Sequence, residues 1–215
     1  MYKEKIVLVG TGQHFNVVLY NITQQNKYEV VCALDSDPNK WGTIINGIPV
    51  VGGYDELDKI REEYKTNKFF ISFGNMKYRK SVYEHFIDSG WEAVNVIHPQ
   101  AVVSPDAVIG KGVLIECGCL ITPNPIIGDN VVVNTGSQVN HDNIIGDHTY
   151  IASGVILSGG VKIGENTLID DGVVITLGKS VGGNCIVGAG AIVTKSFGDN
   201  QIIYGVPAKV IRNNY

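Results

Sequence analysis

Ile127-Gly128-Asp129-Asn130, Ile145-Gly146-Asp147-His148, Ile163-Gly164-Glu165-Asn166 and Val181-Gly182-Gly183-Asn184 are one motif written four times at intervals of 18 residues. A faster beat runs through it. Counting in sixes, Val103, Ile109, Ile115, Ile121, Ile127, Val133, Val139, Ile145, Ile151, Leu157, Ile163, Ile169, Ile175, Val181, Val187 and Val193 are all Val, Ile or Leu, and small or polar residues mostly follow them. A six-residue period suits neither an α-helix nor a plain hairpin strand. It suits a short strand and a corner, repeated around a three-sided coil whose axis the branched residues fill, so that 18 residues complete one turn. Residues 101–215 are therefore predicted to form a parallel β-helix of hexapeptide repeats. Corner residues 18 apart then stack over one another, which gives approximate spatial neighbours from sequence alone.

Outward from the repeats, the composition changes near residue 100. Fourteen of the 18 aromatic residues, Trp41 and Trp91 among them, precede Val103. Apolar runs there alternate with helical patterns: Lys5 to Val9, then Phe15 to Gln24; Glu29 to Leu34, then Tyr54 to Tyr64; Lys68 to Phe73, then Arg79 to Ser89; finally Ala93 to Ile97. This order predicts a βαβαβαβ α/β domain with a small parallel sheet over residues 1–100.

In an open parallel sheet, ligands bind beyond the C-terminal ends of the strands. The first strand leads into Gly10-Thr11-Gly12-Gln13-His14, the second into Asp35-Ser36-Asp37-Pro38 and the third into Gly74-Asn75. A Gly turn lets backbone approach a phosphate, and an acidic residue can accept from ribose or base. Phe15 stands where a third glycine of the dinucleotide fingerprint would be. Three polar loops on a small sheet favour a nucleotide-bearing ligand, held by Gly12, Gln13, His14, Asp35, Ser36, Gly74 and Asn75, over a complete dinucleotide.

The 215 residues carry a formal net charge of −4, with 44% hydrophobic residues. No Lys/Arg cluster offers contacts to a nucleic-acid backbone, and no apolar run approaches the ~18 residues of a membrane span. Cys32, Cys117, Cys119 and Cys185 lack metal-ligand spacing, and no signal-peptide pattern opens the chain, so a reducing cytoplasm is expected. Three-histidine zinc chemistry of the carbonic anhydrase kind finds no third partner for His141 and His148 in the coils, and no metal is expected.

Gly10-Thr11-Gly12-Gln13-His14, Leu34-Asp35-Ser36-Asp37-Pro38, Gly47-Ile48-Pro49-Val50, Ile97-His98-Pro99, the hexads, Asn140-His141-Asp142 and Gly205-Val206-Pro207-Ala208-Lys209 span essentially the whole chain. Together they resemble the bacterial sugar acyltransferases of the sialic acid O-acetyltransferase type. That family includes the N-acetyltransferases of nucleotide-linked 4-amino-4,6-dideoxysugars of the perosamine, viosamine and bacillosamine kind. The resemblance implies a left-handed coil, a homotrimer, acetyl-CoA as donor, a sugar nucleotide on the N-terminal domain, and direct transfer without an acyl-enzyme. It also implies a role in building a surface glycan such as an O-antigen of lipopolysaccharide.

A sugar amine is mostly ammonium at neutral pH and must lose a proton before it attacks a thioester, a task that suits histidine. His141 lies at the third position of its hexad, a corner, and Asp142 beside it could orient the ring. The resemblance makes His141 the general base. One coil on lies Gly159, whose N–H should sit about one strand spacing, ~4.8 Å, along the axis; the resemblance assigns it to the developing oxyanion. Asp171 and Ala189 form another 18-residue pair, and with Tyr150 they match donor-contacting positions of the family, which commonly has His where this chain has Tyr150. His148 is read as facing solvent. No cysteine pairs with a histidine in a way that suggests a covalent nucleophile. Two other outcomes stay open: O-acetylation of sialic acid, which needs no nucleotide on the acceptor, and a nonenzymatic sugar-nucleotide sensor.

Overall fold

Ile6-Val7-Leu8-Val9 is fully buried, the signature of a central strand in a parallel sheet covered on both faces. In the computed structural model, which describes residues 3–214, this run is the body of β1 (Glu4–Val9). The chain divides into two compact units, one ending at Val96 and one beginning at Ile97.

In the first unit β1 pairs in parallel with β2 (Tyr28–Leu34). The elements between and after them are α1 (Gln13–Gln25), β3 (Ile44–Ile45), β4 (Ile48–Gly52), α2 (Leu57–Tyr64), β5 (Lys68–Ile71), α3 (Met76–Asp88) and β6 (Glu92–Ala93). The sheet order is β3-β4-β2-β1-β5-β6, so β1 is flanked by β2 and β5 and their C-terminal loops share one edge. Phe69, Phe86 and Trp91 pack beneath the sheet, with ring centroids 4.7 Å apart for Phe69–Phe86 and 5.7 Å for Phe86–Trp91.

The predicted alternation omits the β3–β4 hairpin, which turns at Asn46 (φ 50°) and Gly47 (φ 81°), the pair a two-residue type I′ turn requires. The predicted last strand, Ala93 to Ile97, is two strands. Glu92–Ala93 pairs with β5, whereas Val96–Ile97 opens the coil ladder, whose next backbone bond is His98 N–H to Ile115 O at 2.9 Å.

The second unit is a left-handed parallel β-helix of two-residue strands in three sheets. On one side Leu114–Ile115, Val132–Val133, Tyr150–Ile151, Leu168–Ile169 and Ile186–Val187 stack in register, each pair 18 residues from the next. The second residue of every pair points to the axis. From Ile115 to Val193 the hexad residues are at most 3% exposed, while Val103 and Ile109, at the N-terminal end of the stack, are partly buried. Each full burial contributes about 1.5–3 kcal/mol.

From Gly112 to Gly190 each corner is a two-residue turn whose second residue is left-handed, and Gly or Asn usually fills it: Asn130, Gly136, Gly154, Gly160, Asn166, Gly172, Gly178 and Asn184 among them. His148 (φ 60°) occupies one such place. Contrary to the solvent-facing expectation it is only 8% exposed, with Nδ1 3.0 Å from Asn130 Nδ2 in the column of left-handed corners. Gln201–Tyr204 and Lys209–Asn213 form an antiparallel hairpin that extends one sheet beyond Ile186–Val187. Among the described residues no helix is long and apolar enough to cross a membrane.

Candidate active site

From Asn130 to Gly190 the second residue of each corner donates its N–H to a carbonyl of the coil below: Asp142 to Pro123 O at 3.1 Å, Gly160 to His141 O at 2.8 Å. The residue before the corner donates to the coil above, as Asn140 N–H does to Leu157 O at 3.1 Å. Among the described residues the N–H of the first corner residue takes part in no backbone ladder bond in either direction. His141 and Gly159 are both first residues.

Asn140 anchors this corner with a second bond, Nδ2 to Leu157 O at 2.8 Å, and the buried Asn143 accepts from Val161 N–H at 2.7 Å on the other flank. Between these anchors the His141 and Asp142 side chains are each 59% exposed. His141 Nδ1 lies 2.8 Å from Asp142 Oδ2. The hydrogen bond with His141, and after it one from Asn124 Nδ2 at 3.3 Å, hold Asp142 below the ordinary carboxylate value. An ionised carboxylate only accepts, so Nδ1 carries the proton and the lone pair of the neutral ring is on Nε2.

That Nε2 edge lies against Gly159. A Cβ on Gly159 would stand 2.3 Å from His141 Nε2 and 2.4 Å from Cε1, so the ring occupies the space where a side chain would begin. Gly159 O accepts from Gly178 N–H at 2.9 Å, but among the described residues no acceptor takes the Gly159 N–H. A basic nitrogen and an open amide donor therefore share one corner, the arrangement that deprotonates a nucleophile beside a forming oxyanion.

The expected donor-contacting residues stand elsewhere in the coil. Asp171 and Ala189 belong to the column of corners that contains Ser153, and Asp171 Oδ1 accepts the Ser153 N–H at 3.0 Å. Tyr150 is on a strand, half-buried, its phenol accepting from Asn134 Nδ2 at 2.9 Å. The cysteines offer no nucleophile among the buried positions: burial pushes Cys32 up to about 12 and Cys119 up to about 11, so both stay protonated at neutral pH.

In the first unit, the C-terminal loops of β1, β2 and β5 enclose a cavity of about 380 Å³. Gly12, Asp35, Ser36 and Asn75 line it, as expected; Gln13, His14 and Gly74 are not among its lining residues. The sequence reading missed Thr11, Tyr54, Phe73, Tyr78 and Val82, which give the cavity a largely aromatic wall. The two glycines of the first loop differ. Gly10 (φ 94°) is obligatory, since a Cβ there would meet Phe73 Cδ1 at 2.5 Å; a Cβ on Gly12 would meet nothing within 4 Å, leaving the N-terminus of α1 open to a ligand.

Asp35 is 6% exposed and organises the loops around it. Its Oδ2 accepts from Thr11 N–H (2.8 Å), Thr11 Oγ1 (2.5 Å) and Lys40 Nζ (2.9 Å), and Oδ1 accepts from Asp37 N–H (3.0 Å). Burial pushes its pKa up, but these bonds outweigh burial and leave it below the ordinary carboxylate value. Burial, and then the Asp35 charge, push the Tyr54 phenol up, so it remains a donor. A depressed folded-state pKa stabilises the fold above the unfolded value, about 4, and that stability is lost as pH falls through the folded one. Acid titration of the Asp35→Asn variant, followed by circular dichroism, is expected to show less destabilisation below pH about 4 than the wild type.

With this geometry in hand, the relatives are informative. Residues 5–86 match the PglD N-terminal domain, and residues 144–177 match the bacterial transferase hexapeptide (six repeats). The UDP-N-acetylbacillosamine N-acetyltransferase of Bacillus subtilis (strain 168) is 30% identical over 113 residues, 52% of this chain; the chain spans about half the length of this curated relative, 51%. The crystal structure of PerB from Caulobacter crescentus, in complex with CoA and GDP-perosamine, is 33% identical and superimposes with a TM-score of 0.90 over 97% of either chain. The acetyltransferase domain of PglB from Neisseria gonorrhoeae FA1090, in complex with acetyl coenzyme A, is 28% identical with a TM-score of 0.87, covering 98% of this chain and 100% of that one. By its two matched domains and its full-length likeness to such structures, the chain belongs to the bacterial sugar acyltransferases of the sialic acid O-acetyltransferase type, whose coils are hexapeptide-repeat left-handed β-helices.

Proposed function

We propose that the protein transfers acetyl from acetyl-CoA to the C4 amine of a nucleotide-linked 4-amino-4,6-dideoxysugar by direct attack. The observation that carries this reading is the His141–Gly159 corner: Nδ1–H held by an ionised Asp142, Nε2 against Gly159, and the Gly159 N–H open. His141 Nε2 takes a proton from the amine as the C–N bond forms. The Gly159 N–H stabilises the negative charge on the former carbonyl oxygen, and the C–S bond then breaks to release the CoA thiolate, which recovers a proton from His141. The amine rather than hydroxyl acceptor is supported by the relatives, among them a UDP-N-acetylbacillosamine N-acetyltransferase and a structure holding CoA and GDP-perosamine.

The acceptor's nucleotide fits the cavity at the edge of the first unit's sheet, where Tyr54, Phe73 and Tyr78 supply aromatic surface for a base. Asp35→Ala is expected to raise the acceptor KM several-fold or more while leaving the acetyl-CoA KM nearly unchanged, because it releases Thr11, Lys40 and the Asp37 amide together. An unchanged acceptor KM would take the nucleotide out of this cavity.

The donor groove is formed between subunits of a homotrimer. His141 and Gly159 are on one column of corners and Asp171 and Ala189 on another, so one extended pantetheine arm reaches both sets where two protomers meet. Transfer is accordingly expected only from the oligomer, and sedimentation at assay concentration that finds an active monomer counts against it. The product feeds a surface glycan assembled from cytoplasmic sugar nucleotides. CoA release measured with GDP-, UDP- and dTDP-linked 4-amino sugars and with free sialic acid tests the whole reading. Turnover with sialic acid alone makes the protein an O-acetyltransferase, and none with any acceptor leaves a sugar-nucleotide sensor.

A further inference from the structure

The N–H of a first corner residue is repeatedly claimed by a carboxylate from the next coil. Lys111 N–H donates to Asp129 Oδ1 at 2.7 Å, Asp129 N–H to Asp147 Oδ1 at 2.8 Å, and Ser153 N–H to Asp171 Oδ1 at 3.0 Å, each 18 residues on. Gly183 N–H finds Asp199 Oδ1 at 2.8 Å across a slightly shorter coil. A corner carboxylate one coil up is thus the commonest way this fold closes an amide that the backbone ladder leaves open; Thr135 N–H is taken instead by Glu116 Oε2 of the coil before it (2.9 Å) and Asp171 N–H by its neighbour Asp170 Oδ1 (2.9 Å).

At Gly159 the residue one coil up is Leu177. It is 66% exposed, so core packing does not require an apolar side chain there. The adjacent corner of the same turn is the direct comparison, since Ser153 stands to Asp171 as Gly159 stands to Leu177: the first pair is closed by a carboxylate, and among the described residues no side-chain acceptor closes the second. Below Gly159 the His141 ring fills the space of the missing side chain, and among the described residues its Nε2 lone pair makes no hydrogen bond with the Gly159 N–H.

We propose that Leu177 is a positioning residue that keeps the Gly159 N–H unclaimed, so that the donor is free for the reacting carbonyl. This rests on the reading of Gly159 as the oxyanion donor. An acceptor at position 177 would satisfy the amide in the ground state, and the reacting oxygen would have to displace it, a cost that falls on kcat rather than on binding.

The test is a series at one position in the full-length protein: Leu177→Asp and Leu177→Asn supply an acceptor with and without charge, and Leu177→Ala supplies none. At saturating acetyl-CoA and acceptor, the Asp and Asn variants are expected to lose about tenfold to a hundredfold in kcat, and the Ala variant to stay within about threefold. Crystal structures of the Asp and Asn variants should put the new oxygen at hydrogen-bond distance, about 2.8 Å, from Gly159 N. If the new oxygen lies elsewhere, the role of Leu177 is overturned. If it reaches Gly159 N and kcat is unchanged, the failure is in the reading of Gly159 itself. An Ala variant as slow as the Asp and Asn variants overturns the proposal by showing that the leucyl side chain acts through contact.

Discussion

The His141→Asn variant is expected to lose about a hundredfold or more in turnover, the scale of a missing general base. Asparagine keeps a polar side chain of moderate size at an exposed corner, so the coil should be undisturbed: the flanking anchors are Asn140 to Leu157 O and Val161 N–H to Asn143, and neither involves the imidazole. The acceptor and acetyl-CoA KM values should change little, because the ring acts on the proton lost during attack. Near wild-type CoA release from folded protein would remove His141 from the mechanism. Asp142→Asn should be milder, since it leaves the ring in place and removes only the carboxylate that fixes Nδ1 as the protonated nitrogen.

Removing the Gly159 donor is expected to cost about 10²- to 10³-fold in turnover, or about 2.7–4 kcal/mol, with far less change in acetyl-CoA affinity. An ester in place of the amide that carries this N–H retains the shape of the corner and deletes only the donor. Gly159→Ala probes something else. Its Cβ would stand 2.3 Å from His141 Nε2, so the ring must swing away, and the variant should lose base and donor geometry together. Because the two groups act on one transition state, His141→Asn combined with Gly159→Ala should be hardly slower than either alone. Turnover retained within about threefold by the ester-containing protein would return Gly159 to a turn-forming role.

What the sequence disclosed followed from regularity. A hexad carries its own register, so the axis-filling residues from Ile115 to Val193 and the 18-residue stacking of His141 on Gly159 were legible by counting. Where a residue departs from its column, counting misleads. His148 sits in a column of left-handed corners otherwise taken by Gly112 and by Asn130, Asn166 and Asn184, and its ring lies against Asn130 instead of in solvent. The first unit has no such register. Its Asn46-Gly47 turn links a two-residue strand to a five-residue one, too short for alternation to stand out, and the hairpin went unread. Tyr54, Phe73 and Tyr78 line one cavity from three separate segments, which only the strand order brings together. Asp35 was legible as a carboxylate at a ligand-binding edge. That Thr11, Asp37 and Lys40 already occupy it depends on side-chain directions no linear motif encodes.

The stacked coil also acts as a ruler on its own evolution. Up to Val193 each strand pairs with the strand 18 residues away, as Gln138–Val139 does with Ile156–Leu157, and only the last coil, where Ile186 pairs with Ile202, is shorter. Losing or gaining one residue would turn the axis-filling positions outward, and a change of six would move each following corner to the next edge of the prism. Only a whole turn restores every column. Length variation in such a unit should therefore come in steps of a complete coil, added where columns need not be counted from His141, while the stretch from His141 to Leu177 keeps its length.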